Sequence, residues 1–308
     1  METTNKQIIM YDLIGDIHGH IDELKALLLK LGYQEDDKGY AHPNRKVLFL
    51  GDYIDRGPDS PGVVKLMRQM VKEENAIALM GNHEHNAILY NTKLGETFLR
   101  KHTLKNCKQH AKTLRQYKNK LTEYQEAIAW FKTLPLYFEN EYFRAIHACW
   151  HISSMNVLKK KSLQGVLNND QLIESAAKSK ELYKVVDILC KGLEVALPDG
   201  ITFKDEDDNL RSEIRLKWWE DPKGKTIKEM SVLNINMPKK DFTVNMEHYP
   251  ETDKPVFFGH YWLQGRPTLL KANVCCLDYS VAKEGKLCAY RFDNASILQE
   301  NNLVWVDA

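Results

Sequence analysis

Three apolar runs near the start of the chain each end in a glycine, followed at once by a polar cluster. The clusters are Gly15-Asp16-Ile17-His18-Gly19, Gly51-Asp52-Tyr53-Ile54-Asp55-Arg56-Gly57 and Gly81-Asn82-His83-Glu84. The runs before them, Ile8 to Ile14, Lys46 to Leu50 and Ala76 to Met80, read as buried strands. Between them, His20 to Leu31 carries Ile21, Leu24, Leu27, Leu28 and Leu31 at helical spacing. Ser60-Pro61 opens a second helix, with Val63, Val64, Leu66, Met67 and Met70 on its apolar face. Strands alternating with helices predict an α/β fold with a mainly parallel sheet covered by helices. Open sheets of this kind bind ligands at the carboxyl ends of their strands, so the three clusters are expected on one edge.

Their chemistry converges. Aspartate and histidine together suit divalent transition metals, and two carboxylates with imidazoles and an amide can hold a pair of ions about 3.5–4 Å apart. The glycines let the backbone turn sharply and approach closely. A single Gly-Asp after a strand is usually a turn. Three in order are hard to explain as packing, because charged groups at buried strand ends need a partner and a metal supplies one.

The rest of the chain is organised differently. Residues 92–135 are rich in lysine and keep an apolar stripe through Leu104, Cys107, Ala111, Leu114, Tyr117, Leu121, Tyr124 and Ile128, which predicts long amphipathic helices. Their basic residues, Lys101 to Lys118, are expected mainly on a solvated face. Phe138 to His147 reads as a hairpin, Leu158 to Val195 as helical and Lys204 to Arg211 as a charged loop. Val256 to Gly259, Leu269 to Leu277 and Leu287 to Phe292 return to strand. With no internal repeat or long linker, residues 1–308 read as one domain with helical segments at about 92–135 and 155–235.

Composition narrows the function classes. Hydrophobic residues make up 43% and charged residues 28% of 308, with a formal net charge of +1. No global field draws such a chain to nucleic acid or membrane. No apolar run reaches the roughly 20 residues of a membrane helix. Met1 to Lys6 lack the apolar segment of a signal peptide. The six cysteines are spread without a C-x-x-C pair, as expected of free thiols in a reducing cytoplasm.

The order G-D-x-H-G, G-D-x-x-D-R-G, G-N-H-E resembles the signature of the phosphoprotein phosphatase family within the calcineurin-like metallophosphoesterases. His147 after Phe143-Arg144-Ala145-Ile146, His260 after Val256-Phe257-Phe258-Gly259, and Trp218-Trp219-Glu220-Asp221-Pro222 extend the likeness. It is dense over residues 8–90 and sparse over 150–250.

The resemblance implies a four-layer α/β/β/α fold and a bacterial-type serine/threonine or tyrosine protein phosphatase. Two divalent metal ions are implied, manganese first, with iron or zinc as alternatives. Asp16 and His18 would bind one ion, Asp52 would bridge, and Asn82, His147 and His260 would bind the other. A hydroxide bridging the metals would attack phosphorus in line. Arg56, with Asn82, would bind the phosphate. His83 would protonate the leaving oxygen, oriented by Asp55.

The expected partner is a phosphorylated protein or small phosphoester, and no aromatic and basic groove for nucleic acid is legible. His20, His85 and His151 are expected to support or flank the site. His42, His102, His110 and His248 are expected to face solvent, and Arg144 and Arg266 to be ordinary surface or sheet-edge arginines. The family's further arginine has no counterpart among Lys223, Lys225 and Lys228 after Pro222. Two departures bear on substrate: Ala148-Cys149-Trp150 follows His147 where the family has small residues, so Trp150 is expected to reshape a pocket wall, and the Ser153 to Glu251 insertion is unlike the compact core.

The alternative is a symmetrical dinucleoside-tetraphosphate hydrolase, similar in Trp130 to Leu136 and in Gly259-His260-Tyr261-Trp262. Asp55 and Glu84 favour the phosphatase.

Overall fold

The computed structural model describes residues 10–162, 164–197, 200–204, 210–233 and 243–308. The readings at Met1 to Lys6, at Ile8 and Ile9, and at 205–209 within the charged loop lie outside them.

The expected β-α-β-α-β order is present: β1 (Met10–Ile14), α1 (Ile21–Lys30), β2 (Arg45–Phe49), α2 (Ser60–Lys72) and β3 (Ala76–Ala78). Asp59 caps α2 by accepting from the Gly62 amide, and Pro61 sits in its first turn, where a missing N–H costs nothing. Next come α3 (Asn82–Asn91), α4 (Leu104–Gln116), α5 (Leu121–Phe131), the hairpin β4 (Tyr137–Glu139) and β5 (Arg144–Ile146), then α6 (Ile152–Lys161), α7 (Asn169–Ala176) and α8 (Glu181–Lys191). The chain closes through β6 (Val256–Phe258), β7 (Val274–Cys276), β8 (Asp278–Tyr279), β9 (Lys286–Phe292) and β10 (Leu303–Asp307).

The strands form two mixed sheets. One runs β8-β9-β1-β2-β3, with β10 also paired to β9; β1, β2 and β3 are mutually parallel and β9 is antiparallel to β1. The other runs β7-β6-β5-β4. Alternation along each strand decides what lies between them. Leu13, Leu48 and Leu50 meet Phe143, Ala145, Phe257 and Cys275 in a core between the sheets. Ile14, Val47 and Phe49 face the other way and pack with Leu24, Leu27, Val63 and Met67 of α1 and α2. On the far sheet, Ile146 and Phe258 turn to the cluster holding Leu158, Leu182 and Leu189 of α6 and α8. Sheets are thus flanked by helices. A buried pair, Arg45 Nε to Asp12 Oδ2 at 2.9 Å, ties β1 to β2, and Arg45 also donates to the Phe292 carbonyl of β9.

Two expectations are corrected. Residues 92–135 do not begin as helix: Lys93–Leu94 and Thr97–Phe98 pair as a hairpin around Gly95, at φ 61°. The expected apolar stripe holds at Tyr117, Tyr124 and Ile128, which are buried, and at Cys107, Ala111 and Leu114, which are half-buried; it fails at Leu104 and Leu121, which are exposed, and His110 and Thr113 join the inward face. The stretch 155–235 is helical only to Lys191. Gly192 (φ 89°) ends α8, and Glu194–Ala196 then pairs with Glu213–Arg215 in a short hairpin; beyond it Ile227–Met230 is the one further described helical turn. No described helix is long and apolar enough to cross a membrane.

Candidate metal and phosphate site

The carboxyl ends of β1, β2 and β3 bring the three glycine clusters together, and β5 and β6 deliver His147 and His260 from the second sheet. The backbone is bent to make this possible. Six of the ten described non-glycine residues with positive φ lie here: His18 (46°), Asp52 (56°), Asp55 (68°), Arg56 (63°), His260 (71°) and Trp262 (53°). Each such residue costs of order 1–3 kcal/mol and persists where the surroundings impose it. Close approach also excludes side chains. A Cβ on Gly51 (φ 111°) would lie 2.6 Å from His147 Nδ1, and one on Gly259 would lie 2.0 Å from Asp16 Oδ1.

Two trios of donors form around one shared carboxylate. His18, Asp52 and His83 make one, and Asp52, His147 and His260 the other, each within 4.8 Å. Asp16 stands outside both, and its carboxylate accepts from the His260 amide at 3.1 Å. Asn82 Oδ1 is 3.1 Å from His147 Nε2. His18 Nδ1 meets the Ile54 carbonyl at 2.9 Å and His147 Nδ1 meets the Leu50 carbonyl at 2.9 Å, which leaves each Nε2 aimed at Asp52.

The electrostatics show what is missing from the protein groups alone. Burial, then the charge of Asp278 and of Asp52, raises the Asp16 pKa. Burial opposes ionisation of Asp52, but His147, His83 and His18 overcome it and hold that carboxyl low. Burial lowers His18 to about 3 and pushes His260 well down, so both imidazoles are neutral donors. Burial opposes charge on His147 too, yet the Asp52 carboxylate outweighs it and raises the group to about 10. His18 Nε2 and both ring nitrogens of His260 are buried with no hydrogen-bond partner. Orphaned imidazole nitrogens beside two buried carboxylates are the donor set that divalent cations complete, and the shared Asp52 fits a pair of them.

Beside this centre, His83 Nδ1 lies 2.6 Å from Asp55 Oδ2. Helix α4 grips the other oxygen of Asp55: His110 Nδ1 is 2.9 Å away and Thr113 Oγ1 donates at 2.6 Å. His110 Nε2 is in turn held by the Tyr124 hydroxyl of α5 at 2.7 Å. Burial works against the Asp55 anion, but the hydrogen bonds from His110 and His83 prevail and keep its pKa well below the usual carboxylate range. His83 is raised: burial works against its charge, and Asp52 and Asp55 win. Glu84 joins the motifs, accepting from the Asp52 and Tyr53 amides at 2.9 and 2.8 Å.

Arg56 lies 4.2 Å over the Trp262 ring, with its Nε buried and unpartnered. It opens onto a cleft of about 390 Å³ whose walls include His83, Arg100, Lys105, Lys191 and Arg215.

Several expectations change. His110 does not face solvent. It is buried against Asp55, and the spacing His110, Thr113, Tyr117 was the readable signal of an inward helix face. His102 is exposed, as expected, although it stacks on Tyr90. His85 is buried and pairs with Ser175, and His151 caps α6. Trp150 does not line the cleft; it is buried beside Arg144 and Tyr137. Arg144 pairs with Glu139 and Asp253, away from the site. No arginine follows Pro222 nearby, and Arg215, which no motif marks, is among the residues that line the cleft. Trp218 backs the centre by donating to the Ala148 carbonyl at 3.0 Å.

The calcineurin-like phosphoesterase family model matches residues 11–281. Among curated proteins, the asymmetrical bis(5'-nucleosyl)-tetraphosphatase PrpE of Oceanobacillus iheyensis is 36% identical over 148 residues, covering 48% of this chain and 53% of its own length. The protein of the same name from Halalkalibacterium halodurans is 39% identical over 134 residues, covering 42% and 52%. The chain thus spans about half the length of the curated relatives it matches. A solved protein serine/threonine phosphatase from Saccharomyces cerevisiae is 14% identical, with a TM-score of 0.49 over 99% of this chain and 81% of that one.

Proposed function

The chain belongs to the calcineurin-like phosphoesterase family, and from that premise we propose that it is a hydrolase acting on phosphate esters, removing phosphoryl groups from phosphomonoesters, with phosphoprotein as the substrate class. In this reading Asp16, His18, Asp52, Asn82, His147 and His260 hold two divalent cations, manganese first, with iron or zinc as alternatives. When bound, such a pair lowers the pKa of water and offsets charge developing on phosphate oxygens. The protein does the rest. Arg56, backed by the Trp262 face, binds two phosphate oxygens and fixes the phosphorus in the cleft. Asn82, beside it, offers its amide to a third. His83 carries a proton on the side away from Asp55 and passes it to the leaving oxygen. Asp55 fixes the imidazole ring and stabilises its charged form.

The observation that carries this reading is the 2.6 Å pair of His83 and Asp55, itself braced by His110 and Thr113. An acid is worth about 10²–10⁴ in rate, and most when the departing oxygen is a poor leaving group. Serine and tyrosine esters need that help more than a phosphoanhydride does.

A second reading has its own support. The cleft walls are strongly cationic, and the curated relatives are named asymmetrical dinucleoside tetraphosphatases, rather than the symmetrical kind that Gly259 to Trp262 resembles. Phosphate release by manganese-loaded protein, from a phosphoserine peptide, a phosphotyrosine peptide and diadenosine tetraphosphate in parallel, separates the two. Turnover of either peptide with little dinucleotide cleavage is expected. Preferred dinucleotide cleavage would overturn the phosphoprotein reading in favour of the second.

A further inference from the structure

Helix α4 has two faces with different work. His110 and Thr113 point inward to Asp55. Lys105, Lys108, Lys112 and Arg115, spaced three, four and three residues apart, share the outer face, where all four are exposed. This row forms one wall of a groove of about 580 Å³ that opens directly onto Arg56 and His83. The helix has no acidic residue in its first turn. Among the described residues, no carboxylate lies within ion-pair distance of Lys105, Lys108 or Arg115; Lys112 donates to the Arg56 carbonyl at 2.5 Å.

Such a row is unfavourable by itself. Like charges one turn apart repel by about 0.2–0.5 kcal/mol per pair, and cations in the first turn oppose the helix dipole. An anionic partner reverses both effects. The groove's position says what the partner is attached to. If His83 protonates the leaving oxygen, a groove bordered by His83 receives the leaving group.

We propose that the outer face of α4 is a docking groove for the acidic segment flanking the phosphorylated residue of a protein substrate. The inference rests on the catalytic reading above. Lys105 to Arg115 spans ten residues, about 15 Å at 1.5 Å per residue, which matches four or five residues of extended peptide at about 3.3 Å each. The apolar patch in the groove is the exposed Leu104, and no phenylalanine, tyrosine or tryptophan lines it among the described residues, so it offers a nucleobase no such ring to stack on. Charge and shape therefore select a chain of carboxylates over a nucleoside.

The test uses the metal-loaded protein and the double variant Lys108→Glu/Arg115→Glu, which leaves Arg56, His83 and Asp55 intact. Binding is read by fluorescence anisotropy with non-hydrolysable phosphonate peptides, one flanked by glutamates and one by glutamines. Turnover is read on a small aryl phosphate and on diadenosine tetraphosphate.

In wild type the glutamate peptide binds more tightly, and its advantage shrinks as salt screens the groove. In the variant its Kd rises about 10-fold, from two lost ion pairs and the repulsion that replaces them, while the glutamine peptide shifts by less than about 2-fold. Aryl phosphate turnover stays unchanged.

Equal binding of both peptides by wild type, or equal loss of both in the variant, overturns the groove. So does a variant whose one large loss is in dinucleotide cleavage, which would make the row a polyphosphate subsite. Absence of aryl phosphate turnover in wild type would instead refute the catalytic reading, and peptide binding would still decide the groove.

Discussion

Replacing Asp55 with asparagine isolates the part of the site that holds a proton. Asp55 accepts from His83 at 2.6 Å, His110 at 2.9 Å and Thr113 at 2.6 Å, all from buried positions. Asparagine keeps the shape but removes the charge, and it turns one acceptor atom into a donor that faces either His83 or α4. Hydrogen bonds to a charged group contribute about 1.5–3 kcal/mol, and one pKa unit is 1.36 kcal/mol. The His83 pKa, raised by Asp52 and Asp55 against burial, should therefore fall. With cations at Asp52, the charge of that carboxylate is largely offset, so Asp55 is the anion that matters.

Two kinetic consequences follow. Turnover of an alkyl phosphate should drop about 10²–10³-fold, and that of an aryl phosphate with a good leaving group less than about 10-fold. The alkaline limb of the rate profile, where His83 loses its proton, should move to lower pH. Stability gives a separate check on sign. The Asp55 pKa is depressed on folding, so its charge stabilises the fold above the unfolded value of about 3.9 and stops doing so as pH falls through the folded value. Denaturant melts should show the variant weaker at pH 7 and converging with wild type in acid. Equal losses on both substrates with an unmoved alkaline limb would refute the proton-holding role of Asp55.

Arg56→Ala should raise the inhibition constant of inorganic phosphate by about 10–100-fold, the value of one charge-assisted contact pair, with metal content unchanged; competitive inhibition assays measure it. Gly259→Ala would set a Cβ 2.0 Å from Asp16 Oδ1, so bound metal, counted by elemental analysis of the purified protein, should drop while circular dichroism shows the fold retained. Arg45→Met takes the closer of two arginines from the buried Asp12 carboxylate, leaving Arg291 Nε at 3.5 Å, and should cost about 3 kcal/mol, a fall in Tm of roughly 5 °C by calorimetry, with little change in kcat.

What the sequence disclosed divides along physical lines. The strand-end clusters were legible because a sharp turn, a close backbone approach and a charged side chain each leave a residue type behind: Gly51 is followed by Asp52, and Gly81 by Asn82 and His83. His147 and His260, each at the end of a short apolar run, were reached only through the family resemblance. His110 was missed, because its partner lies 55 positions away and a histidine in a lysine-rich helix carries by itself no local sign that it turns inward. Arg215 was missed for a similar reason: nothing local distinguishes it, and only the pairing of Glu194–Ala196 with Glu213–Arg215 carries it to the cleft. Trp150 misled because its position beside His147 suggested a wall, whereas the loop after β5 carries it against Arg144 and Tyr137 instead.

The part of the site built by α4 argues for a poor leaving group more strongly than the cationic cleft argues for a polyphosphate. Cations attract any phosphate, so the half-buried Arg100, Lys191 and Arg215 of the cleft do not by themselves distinguish one phosphate compound from another. A buried carboxylate gripped at both oxygens is different. Ordering Asp55, His110, Thr113 and Tyr124 in one line costs conformational entropy, and holding an anion out of water costs more. The arrangement returns that cost only where His83 must deliver a proton to an oxygen that cannot leave without it. A phosphoanhydride, whose departing group is already stable as an anion, would draw little benefit from it. Thr113→Val puts this on a measurable footing. The change removes one donor to the Asp55 carboxylate and one acceptor of the Asp55 amide, but leaves the charge in place and the cations of the cleft untouched. If the acid sets the rate, turnover of a phosphoserine peptide should fall about 10-fold, from a contact worth about 1.5 kcal/mol, while diadenosine tetraphosphate cleavage stays level. Parallel losses on both would mean that α4 supports the fold of the site rather than its chemistry.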